Sequence, residues 1–215
     1  MMGYRTSKKT KFQLPFYAMI HPTYAFDDMK YNHKESMRMS FVSFFLFAML
    51  AVVEQQFTGI QHIMRDIDKV NVFKTFLLYG AIVFLFVISN WAFCELVDGK
   101  AKLKHIWITT NYALLPYSLC GYARVILSNI LVQDEAVFLD AITVVGVFWS
   151  LVVLISAYMT FHEFEISKTI LSLAITVIGM LLIVFLLFLM YTLVQQMVET
   201  IATVINEIIF RNRLN

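Results

Sequence analysis

The sequence predicts an all-α membrane protein with five transmembrane helices and a cytoplasmic N-terminus. Hydrophobic residues make up 60% of the 215 positions and charged residues only 15%, against about 45–50% and about 25% in soluble domains. The apolar residues gather in runs of about 20, and a helix of that length covers a hydrocarbon core of about 30 Å. Lysines and arginines concentrate in the N-terminal tail and in one loop between two apolar runs.

The N-terminal tail, residues 1–38, is polar and basic. Within it, residues 12–26 are apolar and aromatic, but Pro15 and Pro22 interrupt the run and leave it too short to span a membrane. Aromatic rings beside polar neighbours are typical of the headgroup region. We therefore expect an interfacial segment, with a short helix that begins at Pro22.

Five apolar runs follow the tail. Backbone polar groups in hydrocarbon must be satisfied within their own segment, so each run predicts a helix. The predicted spans are residues 39–57, 73–96, 106–132, 136–161 and 168–194. Between the first two spans, residues 60–70 carry apolar side chains at helical spacing and predict an interfacial helix on the outer face.

The distribution of basic residues predicts the orientation. Lysine and arginine near span ends favour the cytoplasmic side. With the N-terminus inside, the basic tail and the hairpin lysines Lys100, Lys102 and Lys104 all lie on that side. The loop 133–140 has acids and no base, which suits an outer loop. Five spans then place the C-terminus outside.

Beyond the spanning domain of residues 39–194, residues 195–215 predict an amphipathic C-terminal helix. Its polar residues lie off an apolar stripe. The stripe includes Met197, Ile201, Val204, Ile205 and Ile208. Two interpretations stay open, because such a stripe can lie on lipid or occupy a groove on a partner.

Arg124 is the only basic side chain in the interior of a predicted span, since Lys74 and Lys168 lie at span ends. Burying an arginine in the bilayer costs about 2.5–3.5 kcal/mol on insertion scales, so a partner is expected. Asp140 and Glu54 are the best candidates at its depth. The alternatives are an ion pair that locks helices together, an arginine that extends to the surface, or a contact with a substrate or a lipid headgroup.

The basic hairpin of Lys100, Lys102 and Lys104 has two interpretations. Trp91 and Trp107 flank it, and such rings form aromatic belts at membrane interfaces. Alternatively, the lysines form a docking site for anionic lipid or an acidic partner, where each base near an anionic leaflet contributes about 1 kcal/mol.

The sequence does not predict an enzyme. His162-Glu163 lacks the second histidine that an HExxH zinc site requires, and the other histidines have no ligand spacing. Neither a glycine-rich phosphate loop nor a nucleophile elbow occurs. We therefore expect no catalytic residues, no metal, no cofactor and no nucleic-acid partner.

Several short motifs have a recognisable arrangement. They are His21-Pro22 near the start, Asn90 with Asp98-Gly99 before the hairpin's lysines, and Tyr112 with Pro116 in the third span. Over about residues 16–195 the chain resembles the Yip1-domain family, in its bacterial branch. The resemblance implies five spans, a cytoplasmic N-terminus and a non-enzymatic membrane partner protein without catalytic residues.

These observations favour an accessory or scaffold subunit of a membrane complex, in contact with the lipid bilayer and other integral membrane proteins. The resemblance makes ABC transporter subunits the leading partner. It also implies the bacterial cytoplasmic membrane, or the ER or Golgi membrane in a eukaryote. Two alternatives stay open: a small transporter or channel in which Arg124 faces water, and a lipid-handling protein in which Arg124 contacts a headgroup. The oligomeric state is not predicted.

Overall fold

A computed structural model describes residue 10 and residues 12–59, 71–96 and 99–214. Within these residues the chain forms α-helices, one short 3₁₀ turn at Gln133–Glu135 and no strand, which confirms the all-α class. The helices are α1 (Leu14–Ile20), α2 (Pro22–Asn32), α3 (Met37–Phe57), α4 (Val72–Leu96), α5 (Leu103–Ala113), α6 (Leu115–Ser128), α7 (Ala136–His162) and α8 (Ile166–Leu214). The predicted interfacial helix at residues 60–70 lies outside the described residues.

Four helices are long and apolar enough to cross a membrane. They are the segments Met37–Phe57, Val72–Glu95, Gln133–His162 and Ile166–Glu207. They coincide with the first, second, fourth and fifth predicted spans. The chain is therefore a multi-pass membrane protein that contacts the lipid bilayer through these helices.

The third predicted span consists of two helices, α5 and α6, which meet at Leu114. Pro116 lies in the first turn of α6, where its missing N–H and fixed φ are tolerated. Because the helix is broken here, the Tyr117 N–H bonds outside its own helix. It donates to Ser150 Oγ of α7 at 2.9 Å. Every residue of the segment 106–113 is buried, so α5 occupies the centre of the bundle.

α5 and α6 together run alongside α3 and in the same direction. At one end, the Tyr112 hydroxyl donates to the carbonyl of Ser36, the N-cap of α3, at 3.0 Å. At the other end, Asn129 Nδ2 donates to the carbonyl of Phe57 at 2.8 Å. The pair of short helices therefore covers the full length of a helix that is long enough to span.

A set of buried polar contacts joins α4 to α8. Ser89 Oγ donates to the Thr176 carbonyl at 2.8 Å, and Asn90 Nδ2 donates to Thr176 Oγ1 at 2.9 Å. One turn further along α4, Cys94 Sγ lies 3.2 Å from Ser172 Oγ. Later residues on α4 meet earlier residues on α8, so the two helices are antiparallel.

α1 and α2 pack against α5 and α7 rather than standing apart from the bundle. Trp149 Nε1, halfway along α7, donates to the Met19 carbonyl at 2.8 Å. Near the end of α7, the Thr160 carbonyl accepts from Lys30 Nζ at 2.6 Å. α2 therefore follows the second half of α7, and the junction between α1 and α2 lies beside the middle of a candidate span.

α8 leaves the bundle after its first turns. It contains 49 residues and contacts α4 and α7. No residue between Val177 and Glu207 is buried. Most of this long apolar helix therefore has no packing partner in the described part of the chain.

Candidate functional site: an ion-pair cluster at the hairpin end

Charged side chains from four segments meet at the end of the bundle where the hairpin before α5 lies. The members of this ion-pair cluster are Asp28, Lys30, Lys34, Glu35, Lys100, Lys104 and Glu163. The sequence predicts the hairpin lysines as a candidate site. It does not predict their acidic partners, which are Glu35 just before α3 and Glu163 just after α7.

Glu163 is the centre of the cluster. Its carboxylate accepts one hydrogen bond from Lys100 Nζ and a second from Lys30 Nζ at 2.7 Å. These two hydrogen bonds lower the pKa of Glu163 to about 2, and the same contact raises the pKa of Lys100 above its ordinary value. The ionised carboxylate therefore joins α2, the hairpin and the end of α7.

The backbone at Glu163 is itself specialised. The residue caps the C-terminus of α7 in the left-handed region, with φ of 59°, where side chains other than glycine are uncommon. His33, at the C-terminus of α2, is the other non-glycine residue with positive φ in the described chain, with φ of 49°. Both unusual conformations therefore lie beside the ion-pair cluster.

Asp28 forms the second part of the cluster. It is 2% exposed and accepts hydrogen bonds from Asn32 Nδ2 and from Lys34 Nζ, the latter at 2.8 Å. Burying a carboxylate is costly unless it is paired and hydrogen-bonded. The two donors satisfy this requirement and fix the end of α2 against the start of α3.

The third part of the cluster involves Glu35. Lys104 Nζ lies 3.5 Å and His105 Nε2 4.0 Å from Glu35 Oε1. Lys102 is exposed at the N-cap of α5 and makes no ion pair with the described residues. Two of the three hairpin lysines, Lys100 and Lys104, are thus engaged within the chain, which favours a structural role over a free basic surface.

Gly99 allows the hairpin to close on the bundle. Its N–H donates to the Cys94 carbonyl at 2.7 Å, and a Cβ at this position would lie 2.7 Å from His162 Nδ1. His162 is buried between the rings of Tyr158 and Phe164. A larger residue at position 99 would displace the imidazole. Asp98, the motif residue before Gly99, lies outside the described residues.

The other motif residues lie at joints between helices. Asn90 bonds α8, and Tyr112 bonds the N-cap of α3. Pro116 opens α6 and Pro22 opens α2. The His21 ring packs on Tyr17, with ring centroids 5.1 Å apart. These contacts explain the residue types by the needs of the fold, without a ligand.

Arg124 lies on α6, away from the ion-pair cluster. Its Nε atom is buried without a hydrogen-bond partner, and no described acid lies within ion-pair distance of it. Glu54 on α3 is close enough for its charge to interact with the guanidinium. The pairing with Asp140 is not observed. The pairing with Glu54 stays a prediction, supported by proximity alone.

An apolar cavity lies beside the break between α5 and α6. Its volume is about 330 Å³. It is lined by Phe47, Ile82, Phe86, Tyr117, Leu151 and Met180, among others. Thr110 and Ser150 also line it. Their hydroxyls are already hydrogen-bonded, to the Tyr158 hydroxyl and to the Tyr117 N–H respectively. The cavity therefore suits an apolar occupant.

The apolar stripe predicted for the C-terminal helix lies on the part of α8 that does not pack against another described helix. Met197, Ile201, Val204 and Ile205 are all about half exposed or more, while the Ile208 side chain lies outside the described part. Among the described residues, no group of three His, Cys, Asp or Glu side chains could hold a metal ion.

The fold and the ion-pair cluster define a multi-pass helical membrane protein. Ion pairs attach the hairpin before α5 to the end of α7 and to the start of α3. A family model of the Yip1 domain matches residues 16–197. The chain therefore belongs to the Yip1 domain family, as its motifs suggested. No curated protein and no solved structure matches the chain.

Proposed function

We propose that the chain is a non-enzymatic accessory or scaffold subunit of a membrane complex. ABC transporter membrane subunits are the first partners to test, and the bacterial cytoplasmic membrane is the proposed location, or the ER or Golgi membrane in a eukaryotic cell. The chain crosses the bilayer five times from a cytoplasmic N-terminus. α5 and α6 together make the third crossing.

The helix directions support this topology. α3 and the pair α5–α6 run in one direction. Ser36, at the start of α3, contacts Tyr112, and Phe57, at the end of α3, contacts the later residue Asn129. α4 and α8 are antiparallel, and α7 returns along α5 and α6 through the contacts at Ser150 and Tyr158. The lysines at the hairpin end support the cytoplasmic assignment of that end.

The free surface of α8 is the observation that carries the proposal. In the membrane part of this helix, Leu182, Phe185 and Leu186 are between 50% and 60% exposed. No other described helix buries these side chains. Lipid alone can cover such a surface, but helices in membranes also associate through van der Waals packing. A helix that stands away from its own bundle offers that surface to another membrane protein.

Site-specific photo-crosslinking in native membranes tests the proposal. We expect a photoreactive amino acid at Leu182 or Phe185 to give one discrete covalent adduct with a different membrane protein, identified by mass spectrometry. The matched control is the same amino acid at Thr176, which is fully buried against α4 and should crosslink only within the chain.

Adducts with lipid alone, or a smear without a defined partner at both exposed positions, would contradict the scaffold proposal. An adduct with a protein other than a transporter subunit would keep the scaffold role and exclude the transporter as its partner.

The apolar cavity supports a second candidate, a lipid-handling function. About 330 Å³ lies within the size range of ligand sites. We expect one lipid class to remain bound at a fixed ratio after purification, and Leu151→Trp, which fills the cavity wall, to reduce that ratio. Equal lipid content in the parent and the variant would exclude the cavity as the site.

A further inference from the structure

α8 is longer than a membrane crossing requires. Its 49 residues extend about 73 Å at 1.5 Å per residue, whereas a hydrocarbon core of about 30 Å needs about 20 residues. A crossing that starts near Ile166 is complete by about Val194. The remaining turns, up to Leu214, continue beyond the bilayer.

The continuation is straight because nothing in α8 interrupts it. No proline occurs after Pro116 and no glycine after Gly179, and the α-helix is unbroken from Ile166 to Leu214. Sharp bends in helices arise at proline, at glycine pairs or at bulges. Without such a bend, the last turns project away from the lipid instead of lying on it.

An apolar stripe runs along this projecting part. Val194, Val198, Ile201 and Ile205 follow one another at intervals of four, three and four residues, and each is between 49% and 59% exposed. This spacing is the heptad repeat of a coiled coil, in which such residues occupy the a and d positions. The opposite side carries polar residues: Glu199, Thr200, Thr203, Asn206 and Glu207.

We propose that this stripe binds the same stripe of a second copy of the chain, in a parallel coiled coil outside the bilayer. Two copies in one membrane have the same orientation, so their α8 helices leave it on the same face and at the same residue. Their heptads are therefore parallel and in register without further adjustment. The β-branched residues at both a and d shift the preference from two strands towards three or four copies in the same parallel arrangement.

This inference does not rest on the proposed scaffold function. It uses the residues from Val194 onward, whereas the scaffold proposal uses the earlier, membrane part of α8. Self-association and binding of a different membrane protein can therefore succeed or fail independently, and each has its own readout.

Disulfide mapping in native membranes tests the proposal. In a background with Cys94→Ala and Cys120→Ala, single cysteines replace Val198, Ile201 or Thr203, and a mild oxidant is added. We expect V198C and I201C to form a disulfide-linked homodimer efficiently, and T203C, on the polar side of the same helix, to link at least tenfold less.

A second pair of variants measures the assembly in detergent by light scattering. We expect I201D/I205D to shift the protein to monomer, and T200D/T203D to leave the oligomer unchanged. Photo-crosslinking at Leu182 in I201D/I205D should still capture the scaffold partner if one exists, so loss of self-association is separable from loss of scaffold binding.

Three results would overturn the coiled coil. One is equal disulfide yield at apolar and polar positions, and another is a parent protein that is monomeric in mild detergent and in native membranes. The third is a disulfide from Val198 or Ile201 positions to a different protein instead of a second copy.

Discussion

Glu163 shows how one carboxylate can join three segments of a chain. It bonds Lys30 of α2 and Lys100 of the hairpin from a left-handed position at the end of α7. Exposed ion pairs contribute little singly, but this acid is shared by two lysines that are distant in sequence. Its effect is to fix the relative positions of those segments at one end of the bundle.

The shared carboxylate predicts acid sensitivity. The pKa of Glu163 falls from its ordinary 4.5 to about 2 in the folded protein, so the folded state favours the ionised form. The stabilisation is complete above about pH 5 and is lost as the pH falls from about 4.5 towards 2. We expect Glu163→Gln to lower the melting temperature at pH 7 and to flatten its decline below pH 4.5.

Thermal unfolding in detergent at several pH values measures this effect. Glu165→Gln is the matched control, because Glu165 is an exposed acid two residues away. If E163Q and E165Q give the same pH profile as the parent, the carboxylate does not hold the hairpin.

At this scale the sequence predicted two of the seven members of the ion-pair cluster. Lys100 and Lys104 stood out because a run of lysines between apolar spans is visible as charge patterning. Glu163 did not, because its partners Lys30 and Lys100 are decided by how α2 and the hairpin pack against the end of α7. The same limitation applies to Arg124. Only the positions of Glu54 and Asp140 in the folded chain could show which of the two lies near its guanidinium.

At the scale of single helices, the break between α5 and α6 depends on one hydroxyl. Ser150 Oγ accepts the Tyr117 N–H that the break removes from the helix ladder. A buried N–H without a partner costs about 1–3 kcal/mol. We expect Ser150→Ala to destabilise the protein by about that amount, measured by thermal or denaturant unfolding in detergent.

Ser156→Ala is the control for this prediction. Ser156 lies on the same helix, is only partly buried, and donates to the Val152 carbonyl of its own helix, so its loss should change stability by less than about 0.5 kcal/mol. Equal effects of S150A and S156A would show that the break does not need the hydroxyl.

Trp149 attaches the N-terminal helices to the middle of α7. We expect Trp149→Phe, which removes the donor to the Met19 carbonyl, to increase amide hydrogen exchange across α1 and α2 while leaving α5 protected. Trp91→Phe is the matched control, since Trp91 on α4 is 37% exposed, as Trp149 is 38% exposed, but donates no hydrogen bond to the described residues. Unchanged exchange in W149F would mean that apolar packing alone holds α1 in place.

The helices were predicted with different success for physical reasons. Long apolar runs identify α3, α4, α7 and α8, because an uninterrupted apolar run of about 20 residues is typical of a transmembrane helix. The third span was predicted as residues 106–132 with a proline inside it, but the position of the break depends on Ser150 across the bundle. The attachment of α1 and α2 to α7 was missed, because residues 12–26 have the composition of an interfacial segment.

At the scale of the whole molecule, the proposed five alternating crossings predict which loops face the same side. We expect K102C to be protected from a membrane-impermeant maleimide in intact cells and D134C to be labelled, in the background that lacks Cys94 and Cys120. Permeabilised cells, in which both must react, provide the control. Labelling of K102C from outside would reverse the topology, and labelling of both positions in intact cells would contradict alternating crossings.

The sequence also predicted the C-terminal amphipathic helix and its stripe, because the helical spacing of Met197, Ile201 and Ile205 is a local property. It could not predict that α8 continues unbroken from the fifth span, since helix ends and bends depend on neighbours. The unbroken helix is what separates lying on lipid from projecting away from it.

The burial of α5 has a consequence for how the chain is made. This helix exposes no side chain between residues 106 and 113, and Thr109, Thr110 and Asn111 are among those covered. Polar side chains of this kind lower the tendency of a segment to enter lipid alone. Since α3 and α4 are synthesised before α5, and α7 after it, we expect these helices to accommodate α5 during biosynthesis. On this expectation, insertion of the protein is an assembly process in which earlier helices receive a segment that lipid would hold poorly.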